Sequence, residues 1–157
     1  MINIKKGPGL SLAQVDKVGK PASGANIEAG QVVRFAANGE VNVPSAPLAS
    51  SNTDLLGFAI TATDDGDAIE SGKIGVLLLD GASVIETDKA SATVNSTNYA
   101  IGAPVSFNTS GLVTAAGATD RVIGRVEGIR NLPSVETING VKVQSTRAFL
   151  GIKLAAI

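Results

Sequence analysis

A chain of 157 residues with a net charge of −1, 44% apolar residues and neither histidine nor cysteine is long enough to bury the core of one ordinary domain, but it lacks the side chains that run most neutral-pH chemistry. There is no imidazole base for a nucleophile, no thiolate or imidazole ligand for zinc, haem or an iron–sulfur cluster, and no disulfide. Near-neutrality argues against direct nucleic-acid binding by phosphate neutralisation, and with aromatics at 3% the core has to be Val, Ile, Leu and Ala.

Residues 1–28 hold Gly7, Pro8, Gly9, Gly19, Pro21 and Gly24, breakers that predict an extended N-terminal arm rather than a regular element. Lys5, Lys6, Lys17 and Lys20 with the apolar anchors Leu10 and Leu12 are the candidate partner contacts, since such an arm gains order on another surface. Its removal through residue 24 is expected to leave the domain folded. The longest strongly apolar run in the chain is Val76-Leu77-Leu78-Leu79, so neither a secretory leader nor a membrane span is expected.

From residue 29 a β domain is expected to run to residue 157. AGQVVRFAANGEV at 29–41 returns in degenerate form as IGAPVSFNTSGLV at 101–113, an offset of 72 that aligns Gly30 with Gly102, Phe35 with Phe107 and Gly39 with Gly111. Each copy reads as a hairpin, with alternating apolar residues running into a turn at Asn38-Gly39 or Ser110-Gly111. Repeat units of about 29–79 and 101–154 follow. Between them, 42–54 reads as a loop, Leu55–Thr63 as a strand, Asp64-Asp65-Gly66-Asp67 as a turn, Lys73–Leu79 as a buried strand and Ser83–Glu86 as a short one. Asp88 is placed to cap one short helix reaching Val94. After the second hairpin, Arg121–Ile129 alternates as a strand, 130–140 reads as a loop because of Pro133 and Asn139-Gly140, and Val141–Leu154 closes the chain. The expected fold is all-β, a small barrel or sandwich built from two related hairpin units, with little helix.

Charge is segregated along the chain. Residues 1–24 carry four lysines against Asp16, residues 54–88 eight acids against Lys73, and residues 121–157 six bases against Glu127 and Glu136. This asymmetry suits association with a partner surface. The Asp64–Asp67 turn is the one cluster with calcium-like oxygen density, but its acids are crowded and flanked by strands, unlike an EF-hand; a solvated turn is the simpler reading. A paired-carboxylate glycosidase would need an aromatic-lined cleft, and the chain has no Trp and one Tyr. No enzymatic activity, cofactor or metal is expected.

Ala29-Gly30-Gln31-Val32-Val33, Asn38-Gly39-Glu40-Val41, Leu56-Gly57-Phe58-Ala59 and Gly72-Lys73-Ile74-Gly75-Val76 together resemble the head decoration, or capsid cement, proteins of tailed bacteriophages. The usual compact member of that group has one such unit, where this chain has two. The resemblance implies a structural virion protein, made in the host cytoplasm, that sits on the outer capsid surface against the major capsid protein, often as a homotrimer at three-fold positions. There it stabilises the shell against internal DNA pressure, with the arm lying across capsid subunits. A tail-tube, fibre or baseplate component and a carbohydrate-binding β module are the alternatives.

Overall fold

The period-two alternation becomes a nearly all-β fold in a computed structural model that describes residues 2–5, 17–45, 48–138 and 140–156. In chain order the elements are β1 (Ile2–Lys5), β2 (Lys17–Pro21), β3 (Val32–Phe35), β4 (Glu40–Asn42), β5 (Leu56–Ala59), α1 (Gly66–Ser71), β6 (Ile74–Leu78), β7 (Val84–Thr87), β8 (Pro104–Phe107), β9 (Val113–Ala115), β10 (Gly124–Ile138) and β11 (Val141–Leu154).

Strands β2-β4-β3-β5-β6 close into a barrel. Closure depends on β2, which pairs antiparallel with β6 from Lys17 opposite Val76 to Gly19 opposite Ile74, and then parallel with β4 through Lys20–Glu40 and Pro21–Val41. The second sheet has the order β1-β7-β11-β10-β8-β9. It curls in the same way, because the chain leaving β7 meets β9 in a parallel bridge between Ala90 and Val113. Ser91 N–H donates to Val113 O at 2.8 Å and Val113 N–H to Lys89 O at 2.9 Å. The second sheet therefore repeats the strand connections of the closed barrel as a second, barrel-like unit held at that place by a single bridge.

The duplication extends to individual hydrogen bonds. Gly30 N–H donates to Ala59 O at 2.7 Å, and Gly102 N–H to Val126 O at 2.8 Å; Gly39 N–H donates to Ala36 O at 2.9 Å, and Gly111 N–H to Asn108 O at 3.0 Å. The turn glycines Gly39 and Gly111 have φ of 80° and 67°, in the left-handed region that an L side chain resists. The interiors match as well. Val33, Phe35, Val41, Ala59, Ile74 and Val76 lie together in one cluster, and their counterparts Val105, Phe107, Val113, Val126, Leu150 and Ile152 lie in the other. That second cluster also takes in Val32, Leu56, Phe58, Leu77 and Leu79 from the first barrel. Strand β5 is buried at all four of its residues, because one face fills its own barrel and the other packs against the second.

Four expectations are corrected. Ile2–Lys5 and Lys17–Pro21, parts of the expected arm, are strands: β1 pairs antiparallel with β7, and β2 closes the first barrel. Removing residues 1–24 would thus take away a barrel strand rather than an appendage. Gly66 and Asp67 of the expected turn at 64–67 are instead the first residues of α1, which ends on Gly72 at φ 65° with its N–H bonded to Ala68 O. No helix follows Asp88; the chain bends there to reach β9, and the side chain of Asp88 turns to Arg147 instead. Finally, 130–138 is strand, continuing β10 far beyond the barrel. Lys6, Leu10 and Leu12 lie outside the described residues.

Candidate interaction surface

The β10–β11 hairpin is much longer than the barrel that holds it. Near its base β10 pairs with β8 only through Gly124 and Arg125, and β11 pairs with β7 only through Leu150–Lys153. Beyond that, eight residue pairs from Asn131–Ala148 to Ile138–Val141 have no other strand partner among the described residues. At a strand rise of about 3.4 Å per residue this two-stranded ribbon extends roughly 27 Å. In the first repeat the connection between β5 and β6 is instead the short segment carrying α1. The ribbon is thus what the second copy has in place of that segment.

A β-bulge between Val126 and Gly128 marks where the ribbon leaves the barrel, as bulges bend and twist a strand. Two ion pairs brace the base. Arg130 Nη2 donates to Glu86 Oε2 at 2.6 Å, with the Glu86 side chain only 2% exposed; Arg147 Nη1 donates to Asp88 Oδ2 at 2.8 Å. Burial by itself would raise the Asp88 pKa, but hydrogen bonds and nearby positive charge, Arg147 among them, hold it below its ordinary value. An open groove beside the bulge is lined by Glu86, Glu127, Gly128, Ile129, Arg130 and Gly151.

Cross-strand pairs share a face, so Leu132 and Arg147, Ser134 and Ser145, and the backbone positions of Val141 and Val143 belong to one face, while Pro133 and Thr146, Val135 and Gln144, and Thr137 and Lys142 belong to the other. Val135 and Val141 are each 63% exposed and Val143 40%. A two-stranded ribbon is marginal by itself in water, and one whose valines face solvent is suited to being covered.

The residues singled out from the sequence are distributed differently. Lys5 stands opposite Val84 in β1, Lys17 opposite Val76, and Lys20 is exposed on β2 opposite Glu40. These three are on two different sheets. The Asp64–Asp67 acids do not converge, and among the described residues no group of three His, Cys, Asp or Glu is placed to hold a metal ion. The ribbon was missed because Pro133 reads as a loop residue, although the tight-turn pair Asn139-Gly140 followed by the alternating Val141-Lys142-Val143-Gln144 is a hairpin signal. No protein-family model matches the chain, no curated protein matches it, and no solved structure matches it.

Proposed function

We propose that this chain is a capsid cement protein: a structural virion component that binds the outer surface of a tailed-phage shell, contacts the major capsid protein and stabilises the shell. The observation that carries the reading is the projecting ribbon, an eight-pair extension with solvent-facing valines on a scaffold whose own core is complete. Rigid scaffolds that present one long loop or hairpin commonly use it for recognition. The segment containing Lys6, Leu10 and Leu12 supplies a second contact, the basic excess of residues 1–24 suiting an acidic shell face. The resemblance of the repeat residues to cement proteins supports the same reading and adds a homotrimeric arrangement.

Because a shell offers many identical sites, each contact needs only modest affinity. The test is co-sedimentation of the purified protein with expanded shells lacking this component. Saturation at a fixed ratio to the capsid subunit is expected. Bare shells, with the protein forming rings or fibres by itself, would assign it to a tail-tube, fibre or baseplate instead.

A further inference from the structure

The longer edges of the body are covered. The first barrel is closed, β7 is covered by β1, a four-residue strand that ends the second sheet, and β9 is met by the chain at Ala90. In the ribbon, no described residue pairs with the outer edge of either strand. Open edges of this length are usually blunted, and here only one of the two is. Pro133 stands midway along the ribbon part of β10 and has no N–H to offer a further strand.

The edge of β11 is open in the stricter sense. Leu154 N–H donates to Ser83 O at 2.9 Å, on the β7 side. Amides alternate in direction along a strand, so those of Ala148, Thr146, Gln144 and Lys142 point the same way. The Pro133–Thr146 pair agrees, since a proline fits a pair that exchanges no hydrogen bonds. Past Leu150, where the β7 pairing ends, these amides and their carbonyls continue the track that β7 occupied, with no strand on it among the described residues.

We propose, resting on the cement reading, that this β11 edge accepts one extended strand of the shell protein, which lies end to end with β7 and carries an acidic residue opposite Lys142. Charge selects that occupant. The chain already places an acid beside the first base on the track, Asp88 against Arg147, while residues 141–148 hold Lys142 and Arg147 and no acid. A second copy is a poorer occupant: residues 141–148 of another β11 carry no acid to set opposite Lys142, and the β10 edge is blocked by Pro133. Main-chain bonds supply affinity in such strand addition, and alternate side chains supply selectivity. Val141 and Val143 on one face and Lys142 on the other call for a partner strand alternating apolar and acidic.

The experiment uses the full chain and stripped expanded shells in three variants. Gln144→Pro removes an outward amide and no bond within the ribbon; Thr137→Pro does the same to the β10 edge; Lys142→Glu reverses the charge. Gln144→Pro is expected to weaken shell binding by roughly tenfold or more, Lys142→Glu to weaken it and flatten its salt dependence, and Thr137→Pro to leave it within about twofold of wild type. Thermal melting of each variant reports folding, and Lys142→Glu keeps the test open if a proline disrupts the ribbon. Wild-type binding that survives both Gln144→Pro and Lys142→Glu would overturn strand addition while leaving the cement reading intact. Wild type that fails to bind shells overturns the cement reading itself, and this inference with it. A wild-type dimer in sedimentation velocity that Gln144→Pro converts to monomer would overturn the shell strand as occupant in favour of a second copy.

Discussion

Gly57 and Gly124 hold matching positions in the two barrels, and both are glycine for one reason. A Cβ on Gly57 would lie 2.4 Å from Leu77 O and 2.6 Å from Val76 Cγ1; on Gly124 it would lie 2.5 Å from Lys153 O and 2.6 Å from Ile152 Cγ2. Backbone oxygen cannot step aside as a flexible side chain does. Each Gly→Ala change is expected to cost about 2–3 kcal/mol by overpacking, read as a melting point lowered by roughly 5–10 °C for a domain of this size. Calorimetry of the two single variants checks this, and an unchanged melting point for either would refute the close approach. Arg121 is nearly buried and joins the two halves, donating from Nη1 to Asn52 Oδ1 at 2.9 Å and to Asp54 O at 2.6 Å. Arg121→Ala leaves those acceptors unmatched and is expected to destabilise by about 2 kcal/mol, measured as a lower urea midpoint at constant slope.

Asp88 carries the one pH dependence assigned to the ribbon. Its folded pKa lies below the ordinary 3.8, held down against burial by several interactions of which Arg147 and Lys89 are two, so the interactions of the carboxylate, the brace to Arg147 included, contribute fully above the unfolded value and are lost as pH falls through the lower folded value. Proteolytic sensitivity of the ribbon is therefore expected to stay flat from neutral pH down to about pH 4 and to rise below it. Asp88→Asn removes that rise. A transition near pH 6 would contradict the assignment.

Among elements, the hairpin turns were legible because Asn38-Gly39 and Ser110-Gly111 force a left-handed backbone whatever surrounds them. Strand β2 was not, because Gly19 and Pro21 inside it read as breakers. The structure shows why Gly19 is there: a Cβ would lie 2.0 Å from Val41 Cγ2 and 2.8 Å from Phe35 Cε1, so tight closure of the barrel demands the residue that propensity counts against a strand. Pro133 misled in the same way, since proline ends a strand only when its nitrogen faces a partner. Deleting residues 1–24 removes β2 and opens the barrel at β4 and β6; a loss of cooperative melting is expected, where an appended arm would leave melting unchanged. Replacing 131–148 by a short turn is expected to leave the melt cooperative, because that part of the hairpin has no other strand partner among the described residues, although the Arg147–Asp88 ion pair is lost with it.

At the scale of the molecule, the repeat was legible from glycine and phenylalanine spacing, but the sharing of one core between the barrels was not. Strand periodicity specifies which residues are buried without naming their neighbours. It could not show that Phe58 and Leu77 of the first barrel pack with Phe107 and Leu150 of the second, nor that one repeat carries a short helix where the other carries a ribbon. The difference at that connection gives two similar supports and one distinctive surface. In the proposed role the barrels support and the ribbon docks.

The most direct test is the saturation of stripped, expanded shells by wild type and by the variant lacking 131–148, compared by co-sedimentation under one salt condition. Wild type is expected to saturate at a fixed ratio to the capsid subunit while the shortened chain, still folded, stays in the supernatant. Equal saturation by both, or none by wild type, would contradict this expectation.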